Sequence, residues 1–395
     1  MATTPTGLGV SSYPVARNVA ATVHEHFQQH RETVDPLLRD HTAALLPRQD
    51  VIEAIIDAAF WTSLRREEGY VPRISLAFVE PHEDLHPLRF ASPLPLDPTA
   101  LTRIAPAVER PGIHLGVWPL SPDARSAKGD GDTLVVWGTT RTIPPLCFVV
   151  EVIAPGLIVV KHRPRLESRK FVNVAVLEGD QIKIVDEHAL TLPDCPGLLT
   201  SLLGFESQGQ GALNVLVQIA VSMRRHGRGG TLLVVPSRST SWRESIVHPI
   251  AYAVEPAFAE LAKLVAQQPP ESTDQEWLDA ISRAVDHLAG LTAVDGAVVI
   301  TDTYDALAFG AKIARRKGGV QIDEVVLAEP VVGNVAARVY PGQLGGTRHL
   351  SAAQFVRDQP DAVALVASQD GHFTIFAWSP CDQVVYAHRV ETLLM

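Results

Sequence analysis

The sequence predicts an α/β (α+β) protein in two units, and three observations carry that prediction. The chain has 395 residues, 46% of them hydrophobic. That is enough for two or three domains, each with its own core. From about 110 to 190, short apolar runs alternate with Gly, Pro and Asp turns, the pattern of antiparallel strands. Beyond "TLPDCPG", Thr191 to Gly197, helical and strand patterns alternate instead. The expected division is an α+β unit over 1–195 and an α/β unit over 196–395. No internal repeat or low-complexity tract is legible.

Taken in order, "RNVAATVHEHFQQHRETVDPLLR" reads as a helix with a His-rich exposed face. His24 and His26 are two apart, which places their rings on different faces and argues against a shared metal. "DVIEAIIDAAFWTSLRREEG" has helical apolar spacing, with Asp50 as expected cap and Gly69 as expected stop. "VPRISLAFVEP" alternates as a strand. "EPHEDLHPLRF" reads as a loop, either solvated or holding a metal on His82, Glu83, Asp84 and His86. The strands "GIHLGVWPL", "TLVVWGTT", "CFVVEVIAPGLIVVKH" and "FVNVAVLEGDQIKIVD" follow, with "SPDARSAKGDGD" as a turn. The charge runs "SLRREEG" and "RPRLESRK" suit a solvated face or a regulatory ligand surface.

In the second half, "ALNVLVQIAVSMRRHG" is an amphipathic helix with cations at its C-terminal end. "GGTLLVVPS" is a buried strand. The segment 238–271 has room for one helix, "AFAELAKLVA", and a loop. Thr273 and Glu276 form a capping box for a helix with Trp277, Ile281, Val285 and Leu288 on one face, stopped by Gly290. "TAVDGAVVITDT" reads as strand, turn, strand. "DALAFGAKI" reads as helix, and "EVVLAEP" as a short strand. "DAVALVASQDGHFTIFAW" reads as two strands about Gln369-Asp370-Gly371.

Composition excludes several functions. A formal charge of −10 argues against broad contact with nucleic acid or an anionic membrane, though a local Arg/His cluster can still hold a small anion. Cys147, Cys195 and Cys381 lack CxxC spacing, so no disulfide framework or zinc signature is expected. No signal peptide and no membrane-spanning apolar run is legible, and a cytoplasmic protein is expected.

Two motifs carry chemistry. "VDGAVVI" sets Asp295 before Gly296, Ala297 and an apolar strand. A carboxylate at a strand mouth suits a divalent cation, while Asp-Gly is also a common hairpin turn. "GGTRHLSAA" offers a Gly-rich anion nest at Gly345 and Gly346, a hydroxyl on Thr347, a guanidinium on Arg348 and an imidazole on His349. Ser351 could cap the following helix. The alternative is a structural loop with Arg348 paired to an acid. "HGRGGT", His226 to Thr231, fits no Walker or dinucleotide spacing and reads as a helix-to-strand turn.

In this order, "DGAVVI", "GTRHLSAA" and "DAVALVAS" resemble the diadenylate cyclase domain of DisA-like proteins, over about 205–395. Residues 1–195, through "AAFWTSLRREEG" and "RISLAFVEP", resemble a sensor domain of the DACNV type fused ahead of such cyclases. The resemblance implies a mixed central β-sheet flanked by helices and condensation of two ATP into cyclic di-AMP with release of two pyrophosphates. It implies Asp295, Arg348 and His349 as catalytic residues. Nucleotide contacts would come from Gly296, Ala297, Gly346, Thr347, Ser351 and Ser368. Mg²⁺ or Mn²⁺ would lie on Asp295 and Asp370. It further implies a face-to-face homo-oligomer and a signal, of unknown nature, for the first unit. The sequence departs from the family at Leu350, which stands where the second Arg of Arg-His-Arg belongs. It departs again at "SQDG", Ser368 to Gly371, which replaces Ser-Glu-Glu-Thr-Gly. A non-catalytic receptor for ATP or a cyclic dinucleotide is therefore the alternative, and a purely structural protein the third reading.

Overall fold

The structure is a computed structural model, and it describes residues 12–33, 43–120, 133–163, 171–186, 215–267 and 275–395. It separates into two compact units, Met1–Val185 with Met395, and Asp186–Leu394. The expected boundary at 195/196 and Thr273 of the expected capping box lie outside the described residues, as do 121–132 and most of "RPRLESRK".

The first unit opens with helix α1 (Pro14–Thr33) and helix α2 (Gln49–Ser63). Helix α2 buries Val51, Ile52, Ile55, Ile56 and Ala59, the three-and-four spacing that drew the helical expectation. Two details differ from that expectation. The cap position is Arg48, and Asp50 pairs with the Arg48 guanidinium at 2.9 Å instead of capping. The helix stops at Ser63, well before Gly69. The Thr62 and Ser63 hydroxyls bond back to the Ala58 and Phe60 carbonyls, both at 2.6 Å.

Eight strands follow. They are β1 (Ser75–Phe78), β2 (Leu88–Pro95), β3 (His114–Pro119), β4 (Leu134–Thr140), β5 (Val149–Ala154), β6 (Leu157–His162), β7 (Val172–Glu178) and β8 (Gln181–Ile184). "EPHEDLHPLRF" is not simply a loop: a 3-10 turn at Glu83–Leu85 leads directly into β2. Strand β2 tolerates Pro93 and Pro95 because it lies at the sheet edge. A helix that the sequence reading lacked, α3 (Pro98–Val108), begins on the Asp97 carboxylate, which accepts from the Thr99 and Ala100 amides at 2.8 and 3.1 Å.

The second unit contains helix α4 (Val215–Arg225), β9 (Gly230–Val235), β10 (Tyr252–Phe258), α5 (Glu260–Ala266), α6 (Gln275–Leu291) and β11 (Ala297–Thr301). Then come β12 (Ala306–Ala311), β13 (Val325–Ala328), β14 (Ala337–Val339), α7 (Thr347–Asp358), β15 (Val363–Ala367), β16 (Phe373–Ser379) and β17 (Val384–Arg389). Three expectations are corrected. Ala257 and Phe258 belong to β10, so the helix read in "AFAELAKLVA" starts only at Glu260. "TAVDGAVVITDT" holds one strand, with Asp295 and Gly296 in the connection from α6. "DALAFGAKI" is strand β12: Ala306 and Ala308 are buried while Leu307 and Phe309 are half-buried, a period of two.

Both sheets are mixed and carry helices. On β9, Leu232 and Val234 join one core with α4 and α6, while Leu233 and Val235 join the core beneath α7. Burial on both faces explains why β9 and β11 carry unbroken apolar runs, Leu232–Val235 and Ala297–Ile300, rather than alternating.

The sheets also share a topology. The first runs β2-β4-β3-β1-β5-β6-β7-β8 and the second β10-β12-β11-β9-β15-β16-β17-β13-β14. Their first seven positions match in chain order. They also match in sense, with one parallel pair, β1/β3 or β9/β11, among antiparallel neighbours. The repeat that is invisible in the sequence is therefore present in the fold. The copies differ between their fourth and fifth strands in chain order. Residues 141–148 link β4 to β5, whereas residues 312–362 between β12 and β15 carry β13, β14 and α7. Among the described residues, no helix is long and apolar enough to cross a membrane.

Candidate functional site

Register brings several loops of the second unit to one end of its sheet. Ala297 at the start of β11 pairs with Thr231 near the start of β9 and with Ala311 at the end of β12. Gly230 pairs with Ala367 at the end of β15. The loops at 226–229, 292–296 and 368–372 and Lys312 therefore share this edge, and α7 contributes Arg348 to it.

Asp295 is exposed on this edge, and Lys312 Nζ donates to its carboxylate. That bond, together with the lysine's charge, holds the Asp295 carboxyl below its ordinary range, and the Arg348 charge adds to the effect. Asp295 and Arg348, both singled out in the sequence, are thus electrostatic neighbours. Gly296 has φ +117°, and a Cβ there would lie 2.4 Å from the Gly310 backbone carbon. The glycine is required by the close approach of β12. Ala297 is buried in the core as the first residue of β11.

Arg348 is exposed, and its guanidinium lies against Gly229: a Cβ on Gly229 would meet Nη1 at 2.8 Å. "HGRGGT" is the helix-to-strand turn expected from sequence, and it is also the floor under Arg348. The neighbouring loop is pinned by His226 Nε2 and the Thr292 hydroxyl at 3.1 Å.

Helix α7 begins at Thr347 with Gly346 as N-cap (φ +76°) and no side-chain cap. Ser351 lies inside the helix and does not cap it, a correction of the expected role. Thr347 and Arg348 face solvent in the first turn, where uncapped amides favour an anion. His349 faces the opposite way. It is fully buried, edge-on to Phe376, with Nε2 3.3 Å from the Thr374 hydroxyl. Its imidazole is held below the ordinary histidine range by burial. A Cβ on Gly345 would strike this ring at 2.2 Å, so the glycine makes room for it. His349 anchors the loop from beneath and offers no exposed donor. Leu350 is half-buried and packs on the same core.

The turn at 369–371 is as expected. The Ser368 amide donates to the His372 carbonyl at 2.9 Å, and its hydroxyl accepts from the His372 amide at 3.3 Å. Arg224 Nε donates to the Gly371 carbonyl at 3.0 Å, docking the turn on α4. Asp370 is exposed at its tip. A hollow of about 510 Å³ lies elsewhere, along Pro256 to Gln267.

Lys312 was missed by sequence reasoning, and Gly229 lay in a turn read only as a helix-to-strand connection. Cross-strand register reveals Lys312, but only once β12 is recognised as a strand.

Residues 41–141 match the family model described as the probable sensor domain DACNV. The sensor-like resemblance of the first unit is borne out over that segment. No curated protein matches the chain. Among solved structures, a hypothetical membrane spanning protein from Bacillus cereus is similar at 14% identity and TM-score 0.27, covering 50% of this chain and 71% of its own. A double cysteine mutant of DacA from Staphylococcus aureus is similar at 12% identity and TM-score 0.22, covering 44% of this chain and 83% of its own.

Proposed function

We propose that the second unit is a diadenylate cyclase whose output is governed by the DACNV-type first unit. The observation that carries this reading is the convergence of Asp295, Arg348 and the Gly-rich turn beneath Arg348 on one sheet edge. That edge offers an acidic group beside a fixed cation and an uncapped helix start, the arrangement a metal-bound polyphosphate requires.

In this reading Thr347, Arg348 and the first amides of α7 hold phosphate oxygens. Gly346 and Ser368 border the nucleotide. Asp295 is an exposed single carboxylate, which fits Mg²⁺ or Mn²⁺ when the remaining ligands are water and substrate phosphates. Bound there, the cation would neutralise charge at the α-phosphate. Lys312 must release Asp295 for this to happen. Asp370 would contribute a second carboxylate. The 3′-hydroxyl of one ATP, held by one protomer, attacks the α-phosphorus of the ATP held by the other. A new P–O bond forms, the bond to the β-phosphate oxygen breaks, pyrophosphate leaves and the hydroxyl proton passes to solvent. Two such steps close cyclic di-AMP, so turnover needs two protomers face to face. His349 acts as a positioning residue behind the loop.

The test is the full chain with ATP and Mn²⁺, with the product identified by mass. Asp295→Asn is expected to lower product by at least about 100-fold. It should leave the melting temperature unchanged, because the side chain is exposed. Parental output from that variant would overturn the assignment.

A second reading, a non-catalytic receptor for ATP or a cyclic dinucleotide, is favoured by Leu350. An apolar side chain packs on the core where the cyclase family places a second phosphate-binding Arg. Calorimetric binding of ATP without any product would select it.

A further inference from the structure

The first unit carries a histidine cluster that the cyclase reading does not use. His26 and His30 lie four residues apart on α1, on one face of the helix. His162 ends β6 and is fully buried beneath them. The three rings stack and tilt together, with centroids 4.3 Å apart for His26 and His30, 5.1 Å for His30 and His162, and 6.1 Å for His26 and His162. One nitrogen from each ring lies within 4.8 Å of the other two.

We infer that His26, His30 and His162 form a binding site for a divalent transition-metal ion of the zinc class. Three neutral imidazoles with no carboxylate in the set select zinc, copper or nickel over magnesium or calcium. Zinc–nitrogen bonds of about 2.0–2.1 Å bring tetrahedral ligand atoms to roughly 3.3 Å of one another. The 4.8 Å cluster therefore closes by small side-chain rotations. His26 and His30 are half-exposed, while Phe27, itself edge-on to Phe148, lies 5.3 Å from the buried His162 ring. His30 Nδ1 meets the His26 carbonyl at 3.3 Å, which leaves Nε2 as its ligand atom. The neighbouring Lys161 ammonium is paired with Glu151, which lessens its repulsion of a cation. Three ligands leave a fourth position open to water or a further donor. The site flanks the DACNV-matched segment in sequence and gives the sensor unit a ligand class.

The test is the full chain, stripped with chelator and titrated with Zn²⁺ alone by calorimetry, then with Co²⁺ to read the visible bands of a tetrahedral ion. The parent is expected to take up one equivalent. A His26→Gln/His30→Gln double variant should bind at least about 100-fold more weakly, beyond what loss of an outer partner costs. His24→Gln, on the same helix but bonded to the Pro47 carbonyl at 3.0 Å, should bind as the parent does. Both variants leave the buried His162 in place, and a melting temperature measured for each checks that the fold is kept. Uptake below half an equivalent, parental affinity in the double variant, or equal weakening by His24→Gln would overturn the site. Metal uptake is read without nucleotide, so its failure and failure of the cyclase reading are separate results.

Discussion

Lys312 is the residue that most changes the meaning of Asp295. An exposed carboxylate at a strand mouth reads as open to a cation, yet this one is held by an ammonium group from the residue that follows β12. The lysine stabilises the charged carboxylate and occupies it, so any cation proposed there would have to compete for the same oxygens. Lys312→Ala removes the largest cause of the lowered Asp295 titration, and the carboxyl should then titrate closer to its ordinary range. Carboxyl-carbon NMR across acid pH checks this, and an unmoved titration would show that Lys312 is not its governor. Asp295 and Arg348 were legible because charged groups next to glycines need a reason to be there. The inward orientation of His349 was not legible, because the helix starts earlier than a Ser351 cap implied and thereby rotates the imidazole into the core.

At the scale of elements, the approach of β11 to β12 is governed by two glycines. Gly296 and Gly310 face one another, and each has positive φ. Gly296→Ala would drive a Cβ into the Gly310 backbone from a conformation that side chains rarely adopt. We expect it to cost roughly 1–3 kcal/mol, read as a lower denaturation midpoint with an unchanged denaturant slope. An unchanged midpoint would mean that the strands part easily. This contact was hidden from sequence because "DALAFGAKI" is rich in small residues that satisfy helical and strand periods alike. Burial on a sheet decided between them. The long apolar runs of β9 and β15 and the heptad-like face of α6 were legible, since strong periodicity or uninterrupted burial admits few alternatives. Helix α3 escaped notice in a stretch with prolines at 93, 95, 98 and 106, although Pro98 at the first helical position favours the helix.

For the whole molecule, acid should weaken both units. His114 in the first unit is pushed down to about 4 by burial, with the Lys161 and Arg163 charges adding to it, and His388 in the second is pushed down to about 4 by burial. Both stay neutral in the fold, whereas the unfolded chain protonates them from about 6.5 downward. Their contribution is complete above that pH and is lost as pH falls toward 4. It amounts to about 2 kcal/mol from each by pH 5. Denaturant unfolding at pH 7.5 and pH 5 checks the loss, and equal stability at both would overturn it. The sequence shows a change in pattern near 191–197, but the strand order that the two sheets share was not legible in it. Topology resides in long-range pairing, which tolerates complete replacement of side chains. That sharing has a consequence for how the chain folds. Strands synthesised early and late have equivalent places waiting in two sheets, so each must be sorted into its own. Misassembly of like repeats is a known hazard of such chains. Divergence lowers the hazard: "SLAF" of β1 and "GTLLVV" of β9 differ in length and volume, so exchanging them would disturb the close packing of both cores. The absence of a visible repeat thus acts as the address label that keeps each strand at home.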